Sequence, residues 1–231
     1  MAGLRRALDI LRRPAPAFRD LAAETPALGP SLGRMLAWWL PPAFLHGGIT
    51  AWSALRAWEG LRAGRLPAWT GILLPAWVDP DDLRELLAHL PPAPGPGIVA
   101  AWLLVLVPLG VLGIWLHDAV WDHTCLWALG GLKQKRGFRI SLVAEAEALR
   151  VAALGSWVGL LGLLPVAGLG FALPLALLEG YLWILRGFSL AAFHGCETWK
   201  GVAATVLHAV LMGLFALAFA AAVLILLGRA G

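Results

Sequence analysis

Both cysteines of the chain follow a histidine by two residues, as His123-x-Cys125 and His194-x-Cys196. Imidazole and thiolate are the ligands of structural zinc sites, and four such donors complete a tetrahedral site. Residues two apart on an α-helix point about 200° away from each other, so each pair needs a non-helical backbone to share an ion. We therefore expect no bound metal, with small buried cysteines and independent histidines, and a zinc site is the alternative.

Asp118, Asp122 and Cys125 have the spacing i, i+4, i+7 and share one face of a helix. A helix from Ile98 to Leu129 would be about 48 Å long, which exceeds the roughly 30 Å of a bilayer core. It should protrude or bend at Pro108, so we expect a solvated acidic stem, with a cation site as the alternative. The complete cytoplasmic polar cluster predicted here comprises Asp118, Asp122, His123, Cys125, His194 and Cys196.

Glu179, His208 and His46 lie inside apolar stretches, where a charge is costly and normally faces a partner or a wet cavity. Glu179 is seven residues from Arg186, about 10 Å along a helix, and His208 is eight residues from Lys200, about 12 Å. Equal depth suggests that Glu179 and His208 meet as a polar tie between helices. The alternative is proton or ion handling, for which His46 is a further candidate.

Small residues recur on one face of a later apolar stretch, at Ala152, Gly155, Gly159 and Gly162. Small side chains let helix backbones approach closely in lipid, where packing drives association. We expect this face to pack within the bundle, and a homodimer contact is the alternative.

No enzyme motif accompanies these residues. The sequence contains no phosphate-binding glycine loop, no Gly-x-Ser-x-Gly elbow and no His-Glu-x-x-His motif. The net charge of +4 comes from basic residues beside apolar stretches rather than from a nucleic-acid-binding patch. We therefore expect a non-enzymatic protein that uses no cofactor and binds no nucleic acid.

The elements that position these residues are apolar stretches too long for a soluble core. Hydrophobic residues make up 60% of the 231 positions, charged residues 14%, and the mean hydropathy is +0.77. A membrane span needs about 20 mostly apolar residues. Five stretches qualify and predict an all-α, five-span transmembrane helical bundle: Met35 to Trp58, Ile98 to Leu116, Val151 to Val166, Leu169 to Phe188 and Val202 to Leu227. Pro165 should turn the chain between the third and the fourth.

Basic residues near the ends of these stretches set the orientation. Thirteen Lys and Arg fall on the side of residues 1–34, 130–150 and the last interspan connection, against five on the other side. We expect a cytoplasmic N-terminus and an outside C-terminus. Residues 1–34 then form a cytoplasmic amphipathic segment, and residues 35–231 the transmembrane domain, with an outer connection at 60–97 and a cytoplasmic connection at 130–150.

Two polar segments should form amphipathic helices. Leu4, Leu8 and Leu11 recur at helical spacing among arginines, which favours association with an anionic inner leaflet, and a solvated helix is the alternative. In the outer connection, Asp79 suits the N-cap and Pro80 the first helical position of a short helix.

Three stretches, in order, resemble the bacterial branch of the Yip family, whose eukaryotic members bind Rab-type GTPases. They are Pro16 to Pro26; His123 through Gly130-Gly131 to Phe138; and Leu164 to Gly168 with Leu185 to Phe188, His194-Gly195 and Lys200. The resemblance implies a helical bundle in a bacterial inner membrane. It implies little about function in bacteria. We expect a scaffold or adaptor that acts through its cytoplasmic N-terminus and loops and contacts the lipid bilayer and other membrane or cytoplasmic proteins, with a homo-oligomer left open. The alternative is a small transporter using Glu179, His208 and His46.

Overall fold

The computed structural model describes residues 2–65, 79–132, 137–161 and 168–229, and its regular structure there is entirely α-helical. The all-α fold class is therefore confirmed. The described residues form eight helices, which are α1 (Ala2–Arg12), α2 (Pro14–Ala23), α3 (Leu28–Arg62), α4 (Pro80–Ala88), α5 (Pro96–Ala128), α6 (Phe138–Leu161), α7 (Gly168–His194) and α8 (Thr198–Arg229).

Three of these helices are long and apolar enough to cross a bilayer: Pro96–Ala128, Leu173–His194 and Thr198–Leu226. They correspond to the second, fourth and fifth predicted spans and indicate a membrane protein. Helix α3 contains Pro41 and Pro42 and is not among the three. Helix α6 begins thirteen residues before the predicted third span, so the second half of the connection at 130–150 is helical. The predicted turn at Pro165 lies outside the described residues.

Glycines end two of the long helices in the left-handed conformation. At the end of α5, Gly130 has φ +65°, Gly130 N–H bonds Trp127 O at 2.9 Å, and Gly131 N–H bonds Leu126 O at 2.8 Å. At the end of α7, Gly195 has φ +64° and Cys196 N–H bonds Ala191 O at 3.0 Å. These bonds satisfy the free carbonyls of a helix end, and glycine takes this conformation without a Cβ clash.

The chain forms two compact units, of which the first comprises residues Met1–Pro42 and Gly110–Gly231. In this unit α6 packs against α7, α7 against α8, and α2 against α7. Its apolar core includes Leu126, Val151, Leu185 and Leu190.

The contact between α7 and α8 in the first unit is made by two glycines. A Cβ added at Gly187 would lie 2.5 Å from Val202 Cα, and a Cβ at Gly201 would overlap Gly187 O. Both conflicts are with backbone atoms, which cannot move aside as a flexible side chain can. The two helices therefore touch backbone to backbone at this level.

The N-terminal helices belong to the first unit. Ala7 and Ile10 of α1 and Phe18 of α2 are buried, and the Tyr181 hydroxyl of α7 donates a hydrogen bond to Leu11 O. Leu4 and Leu8, by contrast, are exposed. The apolar stripe predicted for α1 is thus divided. Leu11 is partly buried and packs against the core, whereas Leu4 and Leu8 form an outer apolar strip beside exposed arginines.

The second unit comprises residues Ala43–Leu109. Trp58 Nε1 donates to Pro91 O at 3.0 Å and Arg62 Nε to Leu90 O at 2.9 Å, which ties the end of α3 to the segment after α4. The predicted cap is present, because the Asp79 carboxylate accepts from Asp81 N–H at 2.8 Å and Pro80 begins α4.

Candidate functional site

A buried guanidinium in the first unit gathers three carboxylates from two neighbouring helices. Arg186 of α7 lies 2.9 Å from Asp118 Oδ2, 2.8 Å from Asp122 Oδ2 and 3.1 Å from Glu145 Oε2. His208 of α8 completes the group. We call these five residues the Arg186 cluster.

The helices place the cluster by simple periodicity. Asp118 and Asp122 are one turn apart on α5 and present both carboxylates on one face. Each carboxylate takes a different nitrogen of Arg186, which the planar fork of a guanidinium allows and a lysine ammonium does not. The cluster therefore links α5, α6 and α7 through one side chain, and His208 adds α8.

The cluster carries more acid than base. Three carboxyl groups face one guanidinium, so full ionisation would leave net negative charge out of contact with water. Glu145 lies before the predicted third span and is fully buried, and burial raises its pKa well above the ordinary 4.5 despite the attraction of Arg186. Its Oε1 has no hydrogen-bond partner among the described residues. Burial and the neighbouring aspartates therefore favour the protonated form of Glu145, which Arg186 opposes.

His208 is 1% exposed and is held by one ring nitrogen. Its Nδ1 lies 2.7 Å from Asp122 Oδ1 and 3.5 Å from an Arg186 terminal nitrogen, while Nε2 is buried with no hydrogen-bond partner in the described chain. Trp121 stacks on the imidazole at a centroid distance of 6.0 Å, and Trp183 lies at 5.3 Å. The ring is fixed in place by aromatic side chains and by Asp122.

Three donor side chains of this region converge closely enough to hold a metal ion. One ligand atom from each of His117, Asp118 and His208 lies within 4.8 Å of the other two. His117 is exposed, its Nδ1 is 3.1 Å from Asp118 Oδ1, and its ring centroid is 5.2 Å from that of His208. In the part of the chain described, neither cysteine belongs to such a group.

The two His-x-Cys segments come together through their histidines. Ser141 Oγ of α6 lies 2.8 Å from His123 Nδ1 and 2.8 Å from His194 Nε2, which makes a bridge between α5 and α7. Cys125 is buried and Cys196 half-buried, and both are free thiols. Burial raises the pKa of Cys196 above its ordinary value, which disfavours the thiolate that binds metals.

The environment of Asp118, Asp122 and Cys125 differs from the prediction. They share one face of α5, but that face is buried rather than solvated. The reason is Arg186, because its guanidinium gives the carboxylates a partner inside the bundle and removes the need for water. The solvated stem is therefore wrong.

The predicted tie between Glu179 and His208 does not form. His208 bonds Asp122 instead, and Glu179 is exposed on α7. His46 is exposed on α3, in the second unit. Of the intramembrane candidates, only His208 belongs to the cluster.

The predicted packing face of α6 is used in part. A Cβ at Gly155 would overlap Leu182 of α7, and Ala152 packs on the core. Gly159 has open space at its Cα, and Gly162 lies outside the described residues.

A second charged group lies where the N-terminal helices meet α6. Glu147 is buried and accepts from Arg34 at 2.6 Å and pairs with Arg150 at 3.0 Å, while Arg6 forms two hydrogen bonds with Glu24, at 2.8 and 3.0 Å. These side chains line a cleft of about 470 Å³. The Arg34–Glu147 pair ties the N-terminal segment to the bundle.

Sequence reasoning missed Glu145, Ser141 and His117. Glu145 and Ser141 fall in the predicted connection at 130–150, although Ser141, Glu145, Ala148 and Ala152 follow the spacing i, i+4, i+7, i+11 of one helix face. That pattern was the available signal. Nothing comparable marks His117, whose proximity to His208 depends on the packing of α5 against α8.

Comparison with known proteins identifies no relative: no family model, no curated protein and no solved structure matches the chain. The Yip resemblance thus rests on its short motifs alone. Two of these motifs, Gly130-Gly131 and His194-Gly195, are the helix ends described above, and such glycine caps occur in unrelated helical proteins.

Proposed function

We propose that this protein is a non-enzymatic, multi-pass scaffold or adaptor of a bacterial inner membrane, related to the Yip family, with five spans and a cytoplasmic N-terminus. The observation that carries the proposal is the docked N-terminal segment. Residues 1–34 are anchored by Phe18, by the Tyr181 hydrogen bond and by the Arg34–Glu147 ion pair, so they offer partners a folded surface.

The outer side of this segment is suited to recruitment. Arg5 and Arg12 are exposed on α1 and lie seven residues apart, on one face next to Leu4 and Leu8. A basic strip with two apolar side chains fits an anionic leaflet or an acidic partner at that leaflet. Recruitment of partners by this surface requires no reaction at the Arg186 cluster.

The test is affinity capture of the full chain from mild detergent, comparing the wild type with the Arg5→Glu, Arg12→Glu double variant. We expect specific partners to be lost from the variant. Arg84→Glu is the matched control, because Arg84 is an exposed arginine of the second unit, on the expected outer side. An unchanged set of partners in the Arg5, Arg12 variant would reject the adaptor role of α1.

The proposed topology has its own test. A reporter fused after Gly231 should be active outside the cytoplasm, and one fused at Gly137 should be active inside. An outside signal at Gly137 would overturn both the five-span arrangement and the cytoplasmic assignment of the N-terminal segment.

The acid excess of the Arg186 cluster favours a second candidate, proton or ion handling, because excess buried carboxyls commonly mark proton and ion pathways. Proton flux measured with purified protein in vesicles that contain a pH-sensitive dye distinguishes ion handling from the scaffold function. The scaffold proposal predicts no flux above empty vesicles. If flux is lost in the Asp122→Asn variant and retained in the control Glu179→Gln, whose residue is exposed, ion handling would replace the scaffold proposal.

A further inference from the structure

The donor group formed by His117, Asp118 and His208 supplies two imidazoles and one carboxylate. For metal–ligand bonds of about 2.0–2.1 Å, donors at a tetrahedral ion are about 3.3 Å apart. The separations of up to 4.8 Å seen here would have to close by about 1.5 Å at most. Side-chain rotation covers that distance, since His117 is exposed and free of surrounding protein on one side.

The hydrogen bonding of His208 prepares it as a ligand. A metal-binding imidazole typically donates its other N–H to a carboxylate, which fixes the tautomer and makes the ligating nitrogen more basic. His208 Nδ1 lies 2.7 Å from Asp122 Oδ1, and in the tautomer that donates Nδ1–H to this carboxylate the lone pair is on Nε2. That nitrogen is buried and has no hydrogen-bond partner in the described chain, a costly arrangement unless a ligand is bound there.

The second carboxylate is oriented in the same way. Asp118 Oδ2 is held by Arg186 at 2.9 Å, which leaves Oδ1 directed to His117. Three carboxyl groups against one guanidinium also give the region an excess of acid, which a divalent cation would offset. Both the geometry and the charge therefore favour a cation at this position.

We propose that His117, Asp118 and His208 bind a divalent transition-metal ion, with Asp122 orienting His208 and the exposed side of His117 providing access. Two imidazoles select a transition ion such as Zn²⁺ over Mg²⁺ or Ca²⁺, which prefer oxygen ligands. Three protein ligands leave at least one coordination position open. The site joins α5 to α8. The proposal of this metal site does not depend on whether the chain recruits partners.

The test uses tag-free protein in mild detergent, titrated with Co²⁺ and followed by its visible ligand-field absorption, with Zn²⁺ as the competitor. We expect one equivalent of Co²⁺ per chain, displaced by Zn²⁺. His117→Gln should weaken binding by at least about tenfold, and Asp122→Asn by about 10- to 100-fold. His117 is exposed, so its replacement leaves the fold intact, which circular dichroism verifies.

His46→Gln is the matched control, because His46 is an exposed helical histidine of the second unit. It should bind Co²⁺ like the wild type. Absence of saturable binding would overturn the proposal, as would equal affinity in the His117→Gln variant or an equal loss in the His46→Gln variant.

Discussion

Replacing Arg186 with Met tests whether the Arg186 cluster holds the bundle together. Met keeps an unbranched chain and removes a guanidinium that is 2% exposed and paired with three carboxylates at 2.8–3.1 Å. Removing one partner of a buried ion pair costs about 3–5 kcal/mol, whereas polar contacts between membrane helices average about 0.6 kcal/mol. Because Arg186→Met leaves three carboxyl groups without a cation, we expect a loss of about 3–5 kcal/mol.

The assay is unfolding in mixed micelles with increasing SDS, followed by helical circular dichroism and tryptophan fluorescence. Arg56→Met is the control, since Arg56 is exposed and lies over Trp52, and its loss should change stability by less than about 0.5 kcal/mol.

Further substitutions distinguish the loss of the Arg186 charge from the loss of its packing. Adding Asp118→Asn, Asp122→Asn and Glu145→Gln to Arg186→Met removes the uncompensated acids, so more than half of the lost stability should return. The reasoning fails if Arg186→Met costs less than about 1 kcal/mol, or if the three amide substitutions add their full separate costs instead of restoring stability.

Three further predictions concern individual side chains. The raised pKa of Glu145 means that the folded chain holds this proton more tightly than the unfolded chain. The contribution of Glu145 to the free energy of unfolding is therefore greatest below pH 4.5 and falls as the pH rises towards the raised pKa. Glu145→Gln should abolish that decline in unfolding curves recorded from about pH 4 to about pH 9. Gly187→Ala should cost about 1–3 kcal/mol by backbone overlap, and Gly180→Ala, in open space, should cost nothing; equal effects would contradict the close approach. Phe18→Ala should cost about 3–5 kcal/mol in the same SDS assay, whereas the exposed Leu8→Ala should cost little; a small Phe18 effect would show the N-terminal segment to be loosely docked.

The local features of the fold were predictable from sequence. The Asp79 cap depends on a few neighbouring residues, and the shared face of Asp118 and Asp122 follows from helical periodicity, so both were found. The partners of the Asp118 and Asp122 carboxylates were not predictable from the sequence. Counting residues from a helix end gives the height of a side chain along the helix, but not the direction of its neighbours, and this is why Glu179 was paired with His208.

The sequence also does not show which side chains surround Arg186. In the sequence, Arg186 marks the boundary of an apolar stretch and is one of the basic residues that predict the orientation of the chain. Its role as the centre of the cluster depends on three residues from two other helices, at sequence separations of 41 and 64 for Glu145 and Asp122. Such long-range pairing leaves no signal in a single sequence.

The separation between Asp122 and Arg186 also determines when the cluster can form during synthesis. Arg186 follows Asp122 by 64 residues, which at 5–20 residues per second is a delay of about 3–13 s. During that delay the aspartates of α5 have no guanidinium partner, and burying a carboxylate without a partner is costly, so they should stay in contact with water. The acidic end of α5 therefore reaches its buried position only when α7 emerges, and in a chain truncated before α7 that end should remain accessible to water.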